Sequence, residues 1–392
     1  MEYICVNRFK AYRPFRWLRS SYLWSHENPY LDKYNIKVYS DSSKPCDVMV
    51  IPCPHLPGLE SPVSRDDWLP INKTTRGSFD YTDIPIICDS SLDPAYIDPT
   101  VYKLLSYPQV RFYLTSVMYR EQRLYQRRSW GGDYYGSVYA RRDKYEAGPD
   151  VRPDRDPFTP EMRAKFRNIN RPISGLFSDS VYEYIRQKIK PLKDRSIDLF
   201  FSGRTLYDLS KINFPNLARQ KFVQEWSSLP GNKVFFDYTN HHGNLKMGKP
   251  VTKFKYPFDY VDKLLDSKVV VSPWGWAPWC LRDLEALACG CIVVKPECSN
   301  MLIYPDIYNP ANQLMIWCDL FYNHLPNQLH YIYKNLDEMQ ERADRGRKFV
   351  VDALYPKDKV YEYWTRDIRE MLETCLEKPA YSQNVPSPHN ES

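Results

Sequence analysis

The chain has 392 residues, 43% hydrophobic and 15% aromatic, enough for two or three packed domains and too apolar for a disordered or fibrous polymer. Its formal charge of +6, from 54 basic against 48 acidic residues, is too mild for a nucleic-acid-binding tail and suits at most a local anionic ligand. Ten cysteines include no C-x-x-C pair, and neither a signal pattern nor an apolar run of about 18 residues occurs, which excludes a disulfide scaffold and a transmembrane helix and gives a soluble, cytoplasmic reading.

Short apolar runs at Tyr3 to Val6, Val48 to Pro52, Ile84 to Asp89 and Val110 to Leu114 predict the strands of a first α/β sheet, with Cys5, Cys46, Cys53 and Cys88 buried in or beside them. Residues 120–160, rich in Arg, Tyr, Gly, Asp and Pro, read as a long irregular insertion of the kind that often serves as a binding loop. Asp179 to Lys190 predicts a helix crossing into a second domain, which opens on a strand at Ile197 to Phe201. Helices at Phe222 to Ser227 and Tyr260 to Leu265 and strands at Lys233 to Asp237 and Leu314 to Cys318 follow. Two strongly periodic helices, Leu336 to Leu354 and Lys359 to Leu376, close the second domain. The domains are thus 1–190 and 191–377, with a tail at 378–392 that lacks a hydrophobic face and is expected to be disordered.

Ser267 to Pro296 carries the densest signal. Lys268 to Ser272 and Cys291 to Val294 are unalternating β-branched runs, as in strands buried on both faces. Between them Leu281, Leu284 and Ala288 recur at helical spacing, Arg282 and Glu285 share another face, and Gly290 stands where a left-handed residue ends the helix. An Arg in a first helical turn opposes the macrodipole, so local stability explains it poorly. Amide groups and a guanidinium converging on a diphosphate, with a carboxylate one turn on for the ribose hydroxyls, explain it better. A solvated salt bridge is the other reading of the pair alone, and the Pro-Trp-Gly-Trp turn ahead of the helix weighs against it.

Arg282-x-x-Glu285-Ala286-Leu287, followed by Gly290-Cys291-Ile292-Val293-Val294, resembles the sugar-nucleotide signature of exostosin-like and group-1-like glycosyltransferases. Ser196 to Arg204 looks like the opening strand and loop of the same carboxy-terminal domain. The resemblance implies an α/β GT-B fold: two facing Rossmann-like domains with a cleft between them. Many group-1 enzymes carry a second glutamate eight positions before the first; here that position is Ala277, and the exostosin-like, inverting pattern fits better.

The implied function is transfer of a sugar from a nucleoside-diphosphate sugar to a hydroxyl of a glycan acceptor, with the donor as substrate and no cofactor. Donor-binding candidates are Gly203, Arg204, Trp274, Gly275, Trp276, Arg282 and Glu285; the tryptophans, with Trp279, either stack on a base or sugar or pack between domains. His241, His242, Gly243 and Lys246 follow a strand and face the nucleotide or simply form polar surface, and Lys295, Glu297 and Ser299 rim the same pocket. The base is sought at strand ends of the first domain: Asp89 first, then His55, then Asp133, against ordinary turn and loop roles for each. No Asp-x-Asp follows a predicted strand, so no metal is expected. A nucleotide-sugar epimerase and a non-catalytic glycan- or nucleotide-binding protein of the same shape are the alternatives.

Overall fold

The computed structural model describes residues 2–8, 24, 28–39, 46–52, 84–90, 105, 108–115, 117–120, 159–168, 177–204, 214–229, 232–239, 257–274 and 279–377. The chain begins with β1 (Ile4–Arg8), β2 (Ile36–Tyr39), β3 (Val48–Pro52), β4 (Ile86–Ser90), β5 (Val110–Thr115) and β6 (Val117–Tyr119). The helix α1 (Pro160–Ala164), capped by the Thr159 side chain, leads into β7 (Phe166–Asn168). The strands pair in parallel in the order β2-β1-β3-β4-β5-β7, with β6 outside the sheet.

Helix α2 (Asp179–Lys188) precedes β8 (Ile197–Arg204), α3 (Phe214–Trp226), β9 (Val234–Thr239), α4 (Phe258–Leu265), β10 (Ser267–Val271), α5 (Leu281–Ala288) and β11 (Ile292–Pro296). Then come β12 (Met301–Ile303), β13 (Met315–Cys318), α6 (Leu325–Lys334), α7 (Leu336–Leu354) and α8 (Lys357–Leu376). The second sheet, β13-β11-β10-β8-β9, is also parallel throughout. The two-sheet α/β architecture is the one the GT-B resemblance implies.

Alternation along the second sheet sends Phe200, Val270 and Val293 to one face, against Tyr260, Val261 and Leu264 of α4 and Leu284 and Leu287 of α5. Leu199, Phe201, Val269, Val271, Ile292 and Val294 pack on the other against α3, α6 and α7. One core cluster runs on from the first of these faces to Ile86, Cys88, Val110 and Tyr113 of the first sheet. The opposite face of the first sheet, with Ile4, Val6, Val48, Val50, Ile87 and Leu114, is covered by Val360, Trp364, Ile368 and Leu372 of α8. Each large apolar side chain so buried contributes about 1.5–3 kcal/mol. The last described helix of the chain therefore completes the core of the first sheet.

A short antiparallel ribbon joins the halves: Val117, Met118 and Tyr119 of β6 pair with Ile303, Leu302 and Met301 of β12. Arg120 extends it, its backbone N–H donating to Asn300 O (2.8 Å) and its Nε to Ser299 O (2.8 Å), while its guanidinium pairs with Asp306. Because β6 follows the carboxyl end of β5 and β12 that of β11, the ribbon draws the carboxyl ends of the two sheets together.

Gly290 ends α5 as expected, with φ +65° and with Gly290 N donating to Leu287 O and Cys291 N to Ala286 O, both 2.9 Å. Gly346 lets α7 approach α5; a Cβ there would lie 2.8 Å from Leu287 Cδ2. Cys88 is buried, but Cys5 and Cys46 are partly exposed, contrary to expectation: Cys5 is the second residue of β1, at the strand's amino end, and Cys46 lies ahead of β3. The nine described cysteines are free thiols. No described helix is long and apolar enough to cross a membrane. The insertion from 121 to 158, Cys53 and the tail at 378–392 lie outside the described residues.

Candidate functional site

In the second sheet the strand order reverses between β8 and β10, and at such a reversal the loops leaving the carboxyl ends diverge and open a crevice. Arg282, in the first turn of α5, comes to that point. Its guanidinium stacks over the Phe201 ring (5.0 Å to the centroid) and fills the space beside Gly203, where a Cβ would lie 2.5 Å from Arg282 Nη2. Two of the expected donor-binding residues are thus in contact, and Gly203 serves the arginine before it serves any ligand. Arg282 is 8% exposed. The N-cap of α5, Cys280, offers no side-chain acceptor to the first-turn amides, an end that suits an anion.

One turn on, Glu285 is buried and accepts from Tyr260 Oη of α4 at 3.0 Å. Burial, then the neighbouring carboxylate, holds the Tyr260 phenol well above its ordinary pKa, so it remains a donor. Trp274 is 1% exposed, its Nε1–H donating to Pro296 O at 3.2 Å, so its ring lies in the core. Arg219 of α3, fully buried, donates to Pro273 O (2.9 Å) and to Trp274 O, fixing the exit from β10. Trp279 is half-buried and packs against the main core cluster.

Lys295, expected on the rim, is instead wholly enclosed, 3.0 Å from Asp283 Oδ2, because an ammonium in a dry strand end needs a carboxylate partner. Glu297 is exposed and accepts from Ser299 Oγ at 2.8 Å. Sequence reasoning did not find Asp283, Tyr308, Arg219 or Tyr260. Only Asp283 left a local trace, as an acidic residue in a first helical turn; the others act across long sequence separations.

In the first sheet Asp89 stands at the carboxyl end of β4, 2% exposed, in register with Pro52 of β3 and Leu114 of β5. It occupies the strand-end location anticipated for a base. His55, Asp133, Gly275, Trp276, His241, His242, Gly243 and Lys246 lie outside the described residues, as does the side chain of Arg204, whose backbone ends β8. Among the described residues no three His, Cys, Asp or Glu side chains converge as metal ligands do.

No protein-family model matches the chain. It is 28% identical over 136 residues to a probable glucuronosyltransferase of Oryza sativa subsp. japonica, a match covering 34% of this chain and 26% of that protein. A second probable glucuronosyltransferase of the same rice is 30% identical over 132 residues, 33% of this chain and 26% of that protein. The chain thus spans about a quarter of the length of the curated relatives it matches. Among solved structures, a glycosyltransferase from Rickettsia africae ESF-5 aligns over 97% of this chain and 100% of its own at 9% identity, with a TM-score of 0.44. The sucrose-phosphate synthase of Thermosynechococcus elongatus aligns over 95% of this chain and 100% of its own at 11% identity, TM-score 0.41.

Proposed function

We propose that the chain is a glycosyltransferase of GT-B form that moves a sugar from a nucleoside-diphosphate sugar to a hydroxyl of a glycan acceptor, with inversion and without a metal ion. The observation that carries the reading is the Arg282 guanidinium held against Gly203 at the reversal of strand order, beside the start of α5, where the N-cap side chain bonds none of the first-turn amides. In this reading Arg282, Arg204 and the α5 amides hold the diphosphate and stabilise it as it leaves. Glu285, steadied by Tyr260, accepts the ribose hydroxyls, and the segment with Gly275 and Trp276 borders the base or sugar. Asp89, with His55 and Asp133 behind it, takes the proton of the acceptor hydroxyl. The hydroxyl oxygen then bonds to the anomeric carbon as the bond from that carbon to the diphosphate breaks.

The local similarity to the rice proteins supports the reaction class and leaves the sugar open. A thermal-shift screen of the intact chain against UDP, GDP, dTDP and CMP tests donor binding. A ligand at about 100 times its Kd stabilises by about 2.7 kcal/mol. Release of nucleoside diphosphate from the matching sugar donor, in the presence of EDTA, tests the chemistry. Absence of any shift counts against the reading, an altered donor sugar without transfer makes the chain an epimerase, and binding without turnover makes it a binding protein.

A further inference from the structure

Asp283 poses a problem for any anion at the start of α5. It lies within the first turn, where its negative charge opposes a phosphate group as directly as the helix amides favour one. The structure holds an answer in a buried cluster drawn from three separated segments. Asp283, Lys295 of β11 and Tyr308 are each fully enclosed. Lys295 Nζ lies 3.0 Å from Asp283 Oδ2, donates to Ser272 O at 3.3 Å, and sits 5.8 Å from the centroid of the Tyr308 ring. Tyr308 Oη donates to the same Oδ2 and accepts the backbone N–H of Cys280, the N-cap, at 3.2 Å.

The Tyr308 hydroxyl thus does the work a capping side chain does elsewhere, and the carboxylate that would reach back to the N-cap is drawn inward. Stability alone accounts poorly for this arrangement. Asp283 Oδ1 and Ser272 Oγ are buried with no hydrogen-bond partner among the described residues, and a buried ion pair is often no more stabilising than apolar side chains of the same volume. What the cluster does supply is a fixed first turn and a cancelled charge: Lys295 offsets Asp283 in a site where little water screens either.

We infer that Lys295, Asp283 and Tyr308 are positioning residues that set the start of α5, and with it Arg282, for the diphosphate of a nucleotide donor. The inference rests on the donor reading above. They touch the helix and not the ligand, so they should govern the diphosphate and not the nucleoside.

The test compares the intact wild type with Tyr308→Phe and with the double variant Lys295→Met/Asp283→Asn, which removes both charges at nearly constant volume. Titrations use UDP against uridine and GDP against guanosine, and hydrogen exchange is followed in peptides covering residues 279–288. The expected result is a loss of diphosphate affinity of about ten-fold or more with nucleoside affinity unchanged, and faster exchange confined to the first turn of α5. Equal diphosphate affinity in wild type and both variants overturns the inference alone, as does a uniform loss of protection across the chain. A wild type that binds neither diphosphate overturns the donor reading and the inference with it.

Discussion

The two sheets are wound alike, each reversing direction beside its first strand, yet their carboxyl ends are furnished differently. That of the second sheet is crowded with enclosed polar and charged groups: Arg219, Arg282, Asp283, Glu285 and Lys295. At the corresponding end of the first sheet, the buried polar side chains among the described residues are Asp89 and Thr115. Similar winding therefore does not dictate similar chemistry; the fold supplies a place, and side chains decide its use. Among the described residues, one end thus gathers five enclosed charged side chains, and the other encloses one carboxylate, that of Asp89.

The sharpest way to break this contrast is Asp89→Asn. If Asp89 is the base, acceptor-dependent transfer falls by about 100- to 10,000-fold while nucleoside diphosphate affinity stays at the wild-type value, since the donor belongs to the other sheet. An unaltered transfer rate would assign Asp89 to structure and pass the role to His55 or Asp133.

Arg282→Ala comes next in size. Loss of a charge-assisted contact of about 1.5–3 kcal/mol should weaken UDP or GDP by about 10- to 150-fold and leave the nucleoside untouched, as calorimetric titration of both will show. Equal weakening of the two would mean that Arg282 supports the crevice wall only. Gly203→Ala should follow in the same direction but less far, because the added methyl must push aside the guanidinium that lies 2.5 Å from its position. A melting temperature near that of the wild type with reduced diphosphate preference is the expected pattern. Unchanged preference would show that the arginine finds an equivalent place.

The smallest effect lies outside both ends. Burial would raise the pKa of Asp266, but hydrogen bonds from Lys190 and Ser196 outweigh it and hold the carboxyl at about 2. A depressed native pKa gives stability that is complete above the unfolded value of about 4 and lost as pH falls toward about 2. Asp266→Asn should therefore melt a few degrees below the wild type at neutral pH, with the gap closing across that acid interval in a series of thermal melts. A gap constant with pH would remove the ion from the account.

Much of the framework was legible because parallel strands buried on both faces are unbroken β-branched runs. Val48–Pro52 and the helix Leu336–Leu354 were read with the bounds they have. Ile36–Tyr39, a short outer strand, carries too few residues to show a period, and Pro215 and Pro326 mask the starts of α3 and α6. The three-residue ribbon between β6 and β12 exists only through its pairing. At the site, Arg282 and Glu285 were visible because helical spacing joins them to their neighbours. Lys295, Tyr308 and Tyr260 were not, since what defines them is a partner brought close by the fold; a lysine at a strand end ordinarily reaches water, so from sequence Lys295 reads as a rim residue.

The packing of α8 on the first sheet bears on how the molecule is made. Ribosomal synthesis delivers the strands β1 to β5 before the second sheet, but the apolar face bearing Ile4, Val6, Val48 and Val50 receives Trp364, Ile368 and Leu372 only after the whole second sheet has been made. The second sheet meets no such delay, because the helices on its faces arrive with its own strands or directly after them. The first sheet is thus completed after the second, with an adhesive surface open until α8 is made. An excised fragment spanning 1–190 would keep that surface permanently, so expression of the isolated half calls for residues 357–376 to be supplied alongside it.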